Sequence, residues 1–215
     1  MSPVIDCTTE DGLAQGVAAA AEAIRRGELV VLPTDTVYGV GADAFSAEGV
    51  AAILAAKGRG REMPPPVLIP SPRTVDGLAT HVPDYARDLI KAFWPGPLTL
   101  VLHAQSSLMW DLGDTNGTVA LRMPQDDTAL KILVEVGPMA VSSANLSGQP
   151  AAKTVLDAAA QLGSVVSVYL DAGPSAGGLA STILDCTDDA PVILRAGALS
   201  VGQIQQVLGD LELRN

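Results

Sequence analysis

Short aliphatic segments and amphipathic helical stretches alternate along the whole chain, and this alternation is the feature that most restricts its fold. The helical stretch over residues 13–27 has apolar residues at helical spacing and ends at a glycine. The segments ELVVLP, PVLIP, LTLVLHA, TVALRM and MAVSS are short and rich in Val, Leu and Ile. Such strands, alternating with helices, predict an α/β fold in which helices cover both faces of a sheet.

Several strand-like segments follow one another in the last third of the chain, which predicts that the sheet is mixed. SVVSVYLDAG, STILDC and VILRAG are not separated by helical stretches, so neighbouring strands here can pair antiparallel. We find no internal repeat, low-complexity tract or break in composition. The sequence therefore predicts one α/β domain over residues 1–215, with a twisted mixed sheet and flanking helices.

Composition and charge exclude several classes of protein. The chain is 48% hydrophobic and 17% charged, which is typical of a packed globular protein and not of a disordered one. The N-terminal residues lack a leader pattern and no apolar run is long enough for a membrane span, so we expect a cytoplasmic protein. The net charge of −11 opposes stable binding to nucleic acid, whereas a small phosphate ligand needs only a few local cations.

Cysteine and histidine are too sparse for a metal site. Cys7 and Cys186 are isolated, and His81 and His103 have no acidic partner at metal-binding spacing. The pattern predicts neither a disulfide framework nor a zinc site. We also expect no catalysis that depends on a histidine.

The stretch KGRGR concentrates three of the chain's 13 Lys and Arg residues, namely Lys57, Arg59 and Arg61. It follows a helix that Ser46 can cap, and alternate residues of an extended segment point to one face. If the stretch is extended, all three cations can therefore face one phosphate group. A solvated basic turn that pairs with surface carboxylates explains the charges equally well, so both interpretations stay open.

A polar loop follows ELVVLP, at the kind of strand end where α/β proteins usually bind ligands. Within residues 33–45, hydroxyl and carboxylate groups come from Thr34, Asp35, Thr36 and Tyr38. The glycines of this loop match neither GxGxxG nor a P-loop. As a bare pattern, an ordinary polar turn is the better explanation.

Other polar residues lie in segments that otherwise suit a core. Arg122 lies in the strand TVALRM, where a guanidinium needs water, a carboxylate or a ligand, and an arginine of an edge strand that reaches solvent is the alternative. The segment VSSANLSGQP brings polar side chains to the end of another strand. Ser181 and Arg195 lie in the late strands, and each of these signals is weak alone.

Seven segments of the chain occur in the order and spacing of a known family: PTDTVYGVGADAF, KGR, FWPGPLTLVL, TVALRMP, SSANLSG, STILD and ILRAG. They resemble the YrdC/TsaC family, the threonylcarbamoyl-AMP synthases. The match extends from about Leu13 to Leu208, which we take as the core of the domain. Seven separated motifs in one order are far more specific than any one of them.

The resemblance implies a fold and an activity. Members of the family have a YrdC-like twisted sheet with a concave ligand cleft, and they condense L-threonine, bicarbonate and ATP to threonylcarbamoyl-AMP and pyrophosphate. A partner transferase complex then carries the threonylcarbamoyl group to tRNA, so stable nucleic-acid binding by this chain is not expected. The resemblance also implies Mg²⁺ that accompanies ATP, and no tightly bound organic cofactor.

The resemblance further implies roles for individual residues. Lys57 and Arg59 match the family's phosphate-binding cations, and we expect them to be catalytic. The residues implied in threonine binding are Thr34, Thr36, Arg122, Val141 and Ser181. The residues implied in ATP binding are Lys57, Arg59, Met63, Thr118, Ser143, Asn145 and Arg195.

The chain departs from the family pattern at three positions. Met63, Leu68 and Ala151 stand where the family commonly has Asn, His and Ser. Contacts that those side chains make elsewhere are therefore absent or replaced here. Arg61 is an additional cation that can compensate.

Two other functions stay open on the sequence. A non-catalytic RNA-binding module could use the same concave surface. Such a module needs a basic groove and aromatic side chains that stack on bases, but the chain has 13 Lys and Arg against 24 Asp and Glu and only 3% aromatic residues. A carbamoyl-adenylate-forming module of the hydrogenase-maturation kind shares the domain. Such proteins carry acylphosphatase and Cys-rich zinc segments, and this sequence contains neither.

Overall fold

Eleven strands and seven α-helices make up the computed structural model, which describes residues 2–214. The strands are β1 Val4–Asp6, β2 Leu29–Leu32, β3 Gly39–Asp43, β4 Val67–Leu68, β5 Ala79–Thr80, β6 Leu98–Ala104, β7 Thr118–Arg122, β8 Met139–Ser143, β9 Val166–Asp171, β10 Thr182–Asp185 and β11 Val192–Arg195. The α-helices are α1 Glu10–Arg25, α2 Ala47–Lys57, α3 Val75–Leu78, α4 Asp84–Phe93, α5 Asp127–Val136, α6 Val155–Leu162 and α7 Val201–Leu208. None of these helices is long and apolar enough to cross a lipid bilayer.

The strands form one mixed sheet in the order β1-β9-β2-β3-β8-β4-β7-β6-β10-β11, with β5 paired to β6. Strand β9 is parallel to β1 and β2, β4 is parallel to β7, and β6 is parallel to β10. The other neighbours, including β10 and β11, are antiparallel. The predicted mixed α/β sheet and the antiparallel pairing near the C-terminus are therefore confirmed.

Helices pack on both faces of this sheet and create two apolar cores. Helices α1 and α5 cover one face through residues such as Ala20, Ile24 and Ile132, which contact side chains of β9, β2, β8 and β4. The opposite face carries the larger core, to which α2, α4, α6 and α7 all contribute. Burial of apolar side chains on both faces is the main force that holds these layers together.

The layer of α1 and α5 leaves part of its sheet face open. In the part of the chain that the structure describes, the core beneath these two helices includes no residue of β7, β6 or β10. On β7, Val119 and Leu121 point into the larger core, whereas Thr118 and Ala120 on the other face are half-buried. Arg122 lies on this open face too, two residues beyond Ala120. On these strands this face is therefore lined by polar and half-buried side chains and not by the apolar core beneath α1 and α5.

Strand β3 is the main element that the sequence did not predict. We interpreted residues 33–45 as a loop, but Gly39–Asp43 pair antiparallel with both β2 and β8. A Cβ atom on Gly39 would lie 2.6 Å from Val141 Cγ1, and one on Gly41 would lie 2.9 Å from Val141 Cγ2. Glycine permits this close approach, and it also removes the side chains by which a strand is recognised in a sequence.

Candidate active site

A buried polar network surrounds Arg122 at the end of β7. Arg122 is 6% exposed. Its Nε donates to the carbonyl of Gly96 at 3.0 Å, and Nη1 donates to the hydroxyl of Thr36 at 3.0 Å. Nη2 forms an ion pair with Asp35. Burial lowers the pKa of Arg122, and the Asp35 carboxylate opposes that shift.

The loop after β2 is fixed against this network. The hydroxyl of Thr34 lies 3.0 Å from that of Thr36 and donates to the carbonyl of Val37 at 2.6 Å. Asp35 also accepts a hydrogen bond from the main-chain N–H of Gln125 at 3.0 Å. Thr34 and Thr36 are both buried. The loop thereby joins the end of β2 to the end of β7, although three other strands lie between β2 and β7 in the sheet.

A second network holds Ser181, just before β10. Its hydroxyl lies 2.8 Å from the hydroxyl of Thr99 in β6 and accepts from Arg195 Nη2 at 3.0 Å. The carbonyl of Ser181 accepts from Nε and Nη2 of Arg195 at 3.0 and 2.8 Å. Burial lowers the pKa of Arg195, as do the positive charges of Arg122 and Arg59. These three guanidinium groups are therefore close enough to repel one another electrostatically.

Lys57 is the most deeply buried cation of the site, at 1% exposure. It ends helix α2, and Gly58, with φ 64°, turns the chain away directly after it. Its ammonium donates to the main-chain carbonyls of Ser143 and of Asn145, the latter at 2.7 Å. Burial, assisted by the charge of Arg59, lowers the pKa of Lys57 to about 8.

The loop after β8 contributes hydroxyl and amide groups beside these cations. Arg59 donates to the hydroxyl of Ser142 at 3.3 Å and lies 3.5 Å from that of Ser147. The side-chain amide of Asn145 donates to the carbonyls of Leu146 and Gln149 at 2.9 and 2.7 Å, so it shapes the loop itself. The segments KGR and SSANLS therefore lie together in the structure.

Positive charge dominates the site. Within residues 2–214, Lys57, Arg59 and Arg195 form no ion pair, whereas Arg122 forms one with Asp35. Four cations therefore share one carboxylate, in a chain whose net charge is −11. Burial of Lys57 and Arg122 raises the effective attraction of these two cations for a bound anion. The arrangement can bind several anionic oxygen atoms, such as those of phosphate groups and of a carboxylate.

Three other predicted residues take no part in the hydrogen bonds described above around Arg122, Ser181 and Lys57. Val141 is buried in β8, and its N–H donates to the carbonyl of Pro66 at 2.9 Å. Thr118 begins β7, so it lies roughly 13 Å along the strand from Arg122, at about 3.3 Å per residue. Met63 is 44% exposed in the segment after Arg59. None of these positions tests the ligand contacts that the resemblance implies.

Arg61 does not join the cluster, and for this residue the structure favours the second of the two open interpretations, a basic turn that pairs with surface carboxylates. Its guanidinium pairs with Asp111 at 2.7 Å and with Asp114 at 3.3 Å, and its side chain is 57% exposed. The N–H of Met63 donates to the carbonyl of Gly60 at 3.3 Å, so the chain turns here. Alternation of side chains holds only in an extended segment, and this turn ends it.

Two functional candidates escaped the sequence analysis. The sequence indicates only that Asp35 is a polar residue of a loop, whereas in the structure it is the counter-ion of Arg122. Thr99 has none of the roles that the seven motifs imply, yet it is 1% exposed and its hydroxyl is hydrogen-bonded to that of Ser181. A threonine inside the aliphatic strand LTLVLHA could have suggested a buried hydroxyl contact.

Comparison with known proteins places the chain in a family. The family model Sua5/YciO/YrdC, described as telomere recombination, matches residues 22–197. The chain belongs to this family. The resemblance that the seven motifs indicated is therefore confirmed.

Three relatives support the assignment along most of the chain. A provisionally named threonylcarbamoyl-AMP synthase of Mycobacterium leprae is 59% identical over 209 residues, which cover 97% of this chain and 95% of that protein. The threonylcarbamoyl-AMP synthase of Bacillus subtilis is 40% identical, over 92% of this chain and 58% of that protein. The crystal structure of Pyrococcus abyssi Sua5 complexed with L-threonine has a TM-score of 0.93 at 36% identity, over 99% of this chain and 63% of that one.

These matches confirm the YrdC-like fold predicted from the motifs. The chain spans nearly all of the mycobacterial relative but less than two thirds of the other two proteins. The residues around Arg122 and Lys57 thus lie in the part of this chain that aligns with all three relatives.

Proposed function

We propose that the chain is a threonylcarbamoyl-AMP synthase, which condenses L-threonine, bicarbonate and ATP to threonylcarbamoyl-AMP and pyrophosphate. The observation that carries this proposal is the convergence of four cations, sharing one carboxylate, beside the hydroxyl groups of Thr36 and Ser181. Such a site suits one ligand with a carboxylate and a hydroxyl and another with several phosphates. Relatives at 40–59% identity carry the name of this activity.

The amino acid is proposed to bind at the Arg122 network. The guanidinium of Arg122 receives the carboxylate of threonine, because it is positively charged, nearly buried and held in place by other groups. The hydroxyl groups of Thr36 and Ser181 then face the side chain and the amino group. The loop at Thr34 and the main chain near Val141 complete this half of the site.

The nucleotide is proposed to bind at the Lys57 side. Lys57 and Arg59 contact phosphate oxygens, and Arg195 lies between them and the amino acid. Ser143 and Asn145 bound the nucleotide from the loop after β8, while Thr118 and Met63 line the more distant part. With both ligands bound, the reacting groups are held close together, which by itself lowers the barrier of a reaction between two molecules.

The reaction is proposed to proceed without a covalent enzyme intermediate. Threonine and bicarbonate form a carbamate with loss of water, and a carbamate oxygen attacks the α-phosphorus of ATP. The new P–O bond forms as the bond to the β-phosphate oxygen breaks and pyrophosphate leaves. Negative charge grows on phosphate oxygens, and the fixed cations Lys57, Arg59 and Arg195 stabilise that charge.

Mg²⁺ and the partners complete the proposal. The described residues contain no group of three or more His, Cys, Asp or Glu side chains that could hold a metal ion. We therefore infer that Mg²⁺ enters as a complex with ATP. We further infer that a cytoplasmic transferase complex takes up the product, because threonylcarbamoyl-AMP is an intermediate for tRNA modification.

Pyrophosphate release from ATP tests the proposed function directly. The purified protein is incubated with ATP, with and without L-threonine and with and without bicarbonate, and we expect release only when both are present. A carbamoyl-adenylate-forming module would instead release pyrophosphate with a carbamoyl donor and without threonine. Folded protein that releases none under any of these conditions would contradict the proposal and would favour an RNA-binding module.

The two arginines of KGRGR should differ sharply in their effect on ATP use. Arg59→Ala removes a charge-assisted phosphate contact of about 1.5–3 kcal/mol, so we expect kcat/KM for ATP to fall roughly 10- to 100-fold. Arg61→Ala is the matched control, because its guanidinium pairs with two exposed carboxylates. We expect Arg61→Ala to remain within about twofold of wild type, since exposed ion pairs contribute little. Equal losses in the two variants would contradict the assignment of Arg59.

A further inference from the structure

Arg122 has hydrogen-bonding capacity left over for a ligand. A guanidinium carries five N–H bonds, and three of them are used here by Gly96, Thr36 and Asp35. One N–H on each terminal nitrogen has no acceptor among residues 2–214. The direction of those two bonds depends on how the guanidinium plane is held, because the side chain can otherwise rotate.

Asp35 is one of three groups that hold this plane, beside Gly96 and Thr36, and it is the one that does so with a charge. Both of its hydrogen bonds fall on Oδ1, one from Arg122 Nη2 and one from the N–H of Gln125 at 3.0 Å. The side chain of Asp35 is 13% exposed and that of Arg122 is 7% exposed. Asp35 thus ties the loop after β2 to the end of β7 and to the residues that lead into α5, positions 87 and 90 residues away in sequence.

We propose that Asp35 is a positioning residue for amino-acid recognition, and that it acts by orienting Arg122 so that its two remaining N–H bonds point at the substrate carboxylate. The inference rests on the proposed function, in which Arg122 receives that carboxylate. Asp35 itself does not touch the substrate in this arrangement. Hydrogen bonds between a guanidinium and a carboxylate are strong only when the two planar groups are aligned with each other. A loss of alignment should therefore weaken binding of the substrate carboxylate specifically.

Two substitutions separate orientation from charge. Asp35→Asn keeps Oδ1, which accepts both hydrogen bonds, and removes only the charge. Asp35→Ala removes both bonds. Should Asp35→Ala fail to fold, Asp35→Ser replaces it, because its hydroxyl is one bond too short to span both donors. The control is Asp76→Ala, which breaks the exposed ion pair with Arg87 at 3.0 Å.

Binding is measured by calorimetry with L-threonine and with L-threoninamide, which lacks the carboxylate. We expect Asp35→Ala to weaken L-threonine at least tenfold, to leave L-threoninamide within twofold, and to leave ATP binding within twofold of wild type. Asp35→Asn should bind L-threonine within threefold of wild type. Asp76→Ala should match wild type for every ligand.

Several results would overturn the inference. Wild-type affinity for L-threonine in Asp35→Ala would remove any role for the residue. Equal weakening of L-threonine and L-threoninamide would indicate a general disturbance of the site, and an Asp35→Asn variant as weak as Asp35→Ala would exclude orientation through Oδ1. Wild-type protein that binds no L-threonine would overturn the proposed function itself, and this inference with it.

Discussion

Lys57→Met should reduce kcat/KM for ATP by about 10²–10³-fold, the usual loss when a buried group that stabilises developing charge is removed. The methionine side chain fills the apolar part of the space, so we expect the protein to fold. The loop that Lys57 contacts keeps other bonds, including those of the Asn145 amide and the Ser147 N–H to the Lys57 carbonyl at 3.0 Å. Lys131→Met, at an exposed position, is the control and should match wild type.

The same lysine predicts a pH dependence. Because the pKa of Lys57 is lowered to about 8, the free enzyme loses this charge as the pH rises through 8. We expect kcat/KM for ATP, which reports the free enzyme, to fall above that pH. Bound phosphates favour the charged ammonium, so kcat should change less. A profile of kcat/KM that is flat from pH 7 to 9.5 would contradict a role for the charged ammonium in ATP binding.

The contribution of Lys57 to stability should rise with pH, whereas kcat/KM for ATP falls. The pKa of Lys57 is about 8 in the folded protein against 10.5 for a free lysine side chain, so between these values the unfolded chain binds more protons. The free energy of unfolding of wild type should therefore rise with pH in this window, relative to Lys57→Met, by on the order of 2 kcal/mol. Urea denaturation of the two proteins at pH 7 and pH 10.5 measures this difference, because other titrating groups cancel.

Local signals in the sequence predicted much of the fold because they depend on neighbouring residues alone. Ser46 caps helix α2 as expected, and the predicted strands LTLVLHA, TVALRM and MAVSS correspond to β6, β7 and β8. Strand β3 was missed for the converse reason. Gly39 and Gly41 are required by contact with Val141, which lies 102 and 100 residues further along the chain, and such a requirement leaves no local pattern.

The candidate site shows the same limit more sharply. Motifs located Thr36, Arg122 and Ser181, and the structure brings Thr36 to Arg122 by a hydrogen bond. The sequence could not tell Arg59 from Arg61, because the turn over residues 60–63, which contains Arg61, decides which side chain joins the cluster. Nor could it identify Asp35 as the partner of Arg122, since that pairing depends on tertiary contact between distant segments.

The Arg122–Asp35 pair allows function and stability to be separated. Arg122→Met should weaken L-threonine binding roughly 100- to 1,000-fold, in the range expected when one partner of a buried charged contact is truncated. It should also lower the free energy of unfolding by about 3 kcal/mol, because the largely buried Asp35 carboxylate loses its counter-ion and keeps only the N–H of Gln125.

The double variant Arg122→Met/Asp35→Asn should recover most of that stability and none of the affinity. Neither side chain is then charged, so no uncompensated charge remains buried, and a neutral pair of similar volume is often as stable as the ion pair it replaces. Urea denaturation measures the stability and calorimetric titration with L-threonine the affinity. A double variant no more stable than Arg122→Met would mean that the Asp35 charge is not what destabilises the single variant. Unchanged affinity for L-threonine in Arg122→Met would contradict the proposal that Arg122 binds the threonine carboxylate. The proposal that Asp35 orients Arg122 toward that carboxylate would then be wrong as well.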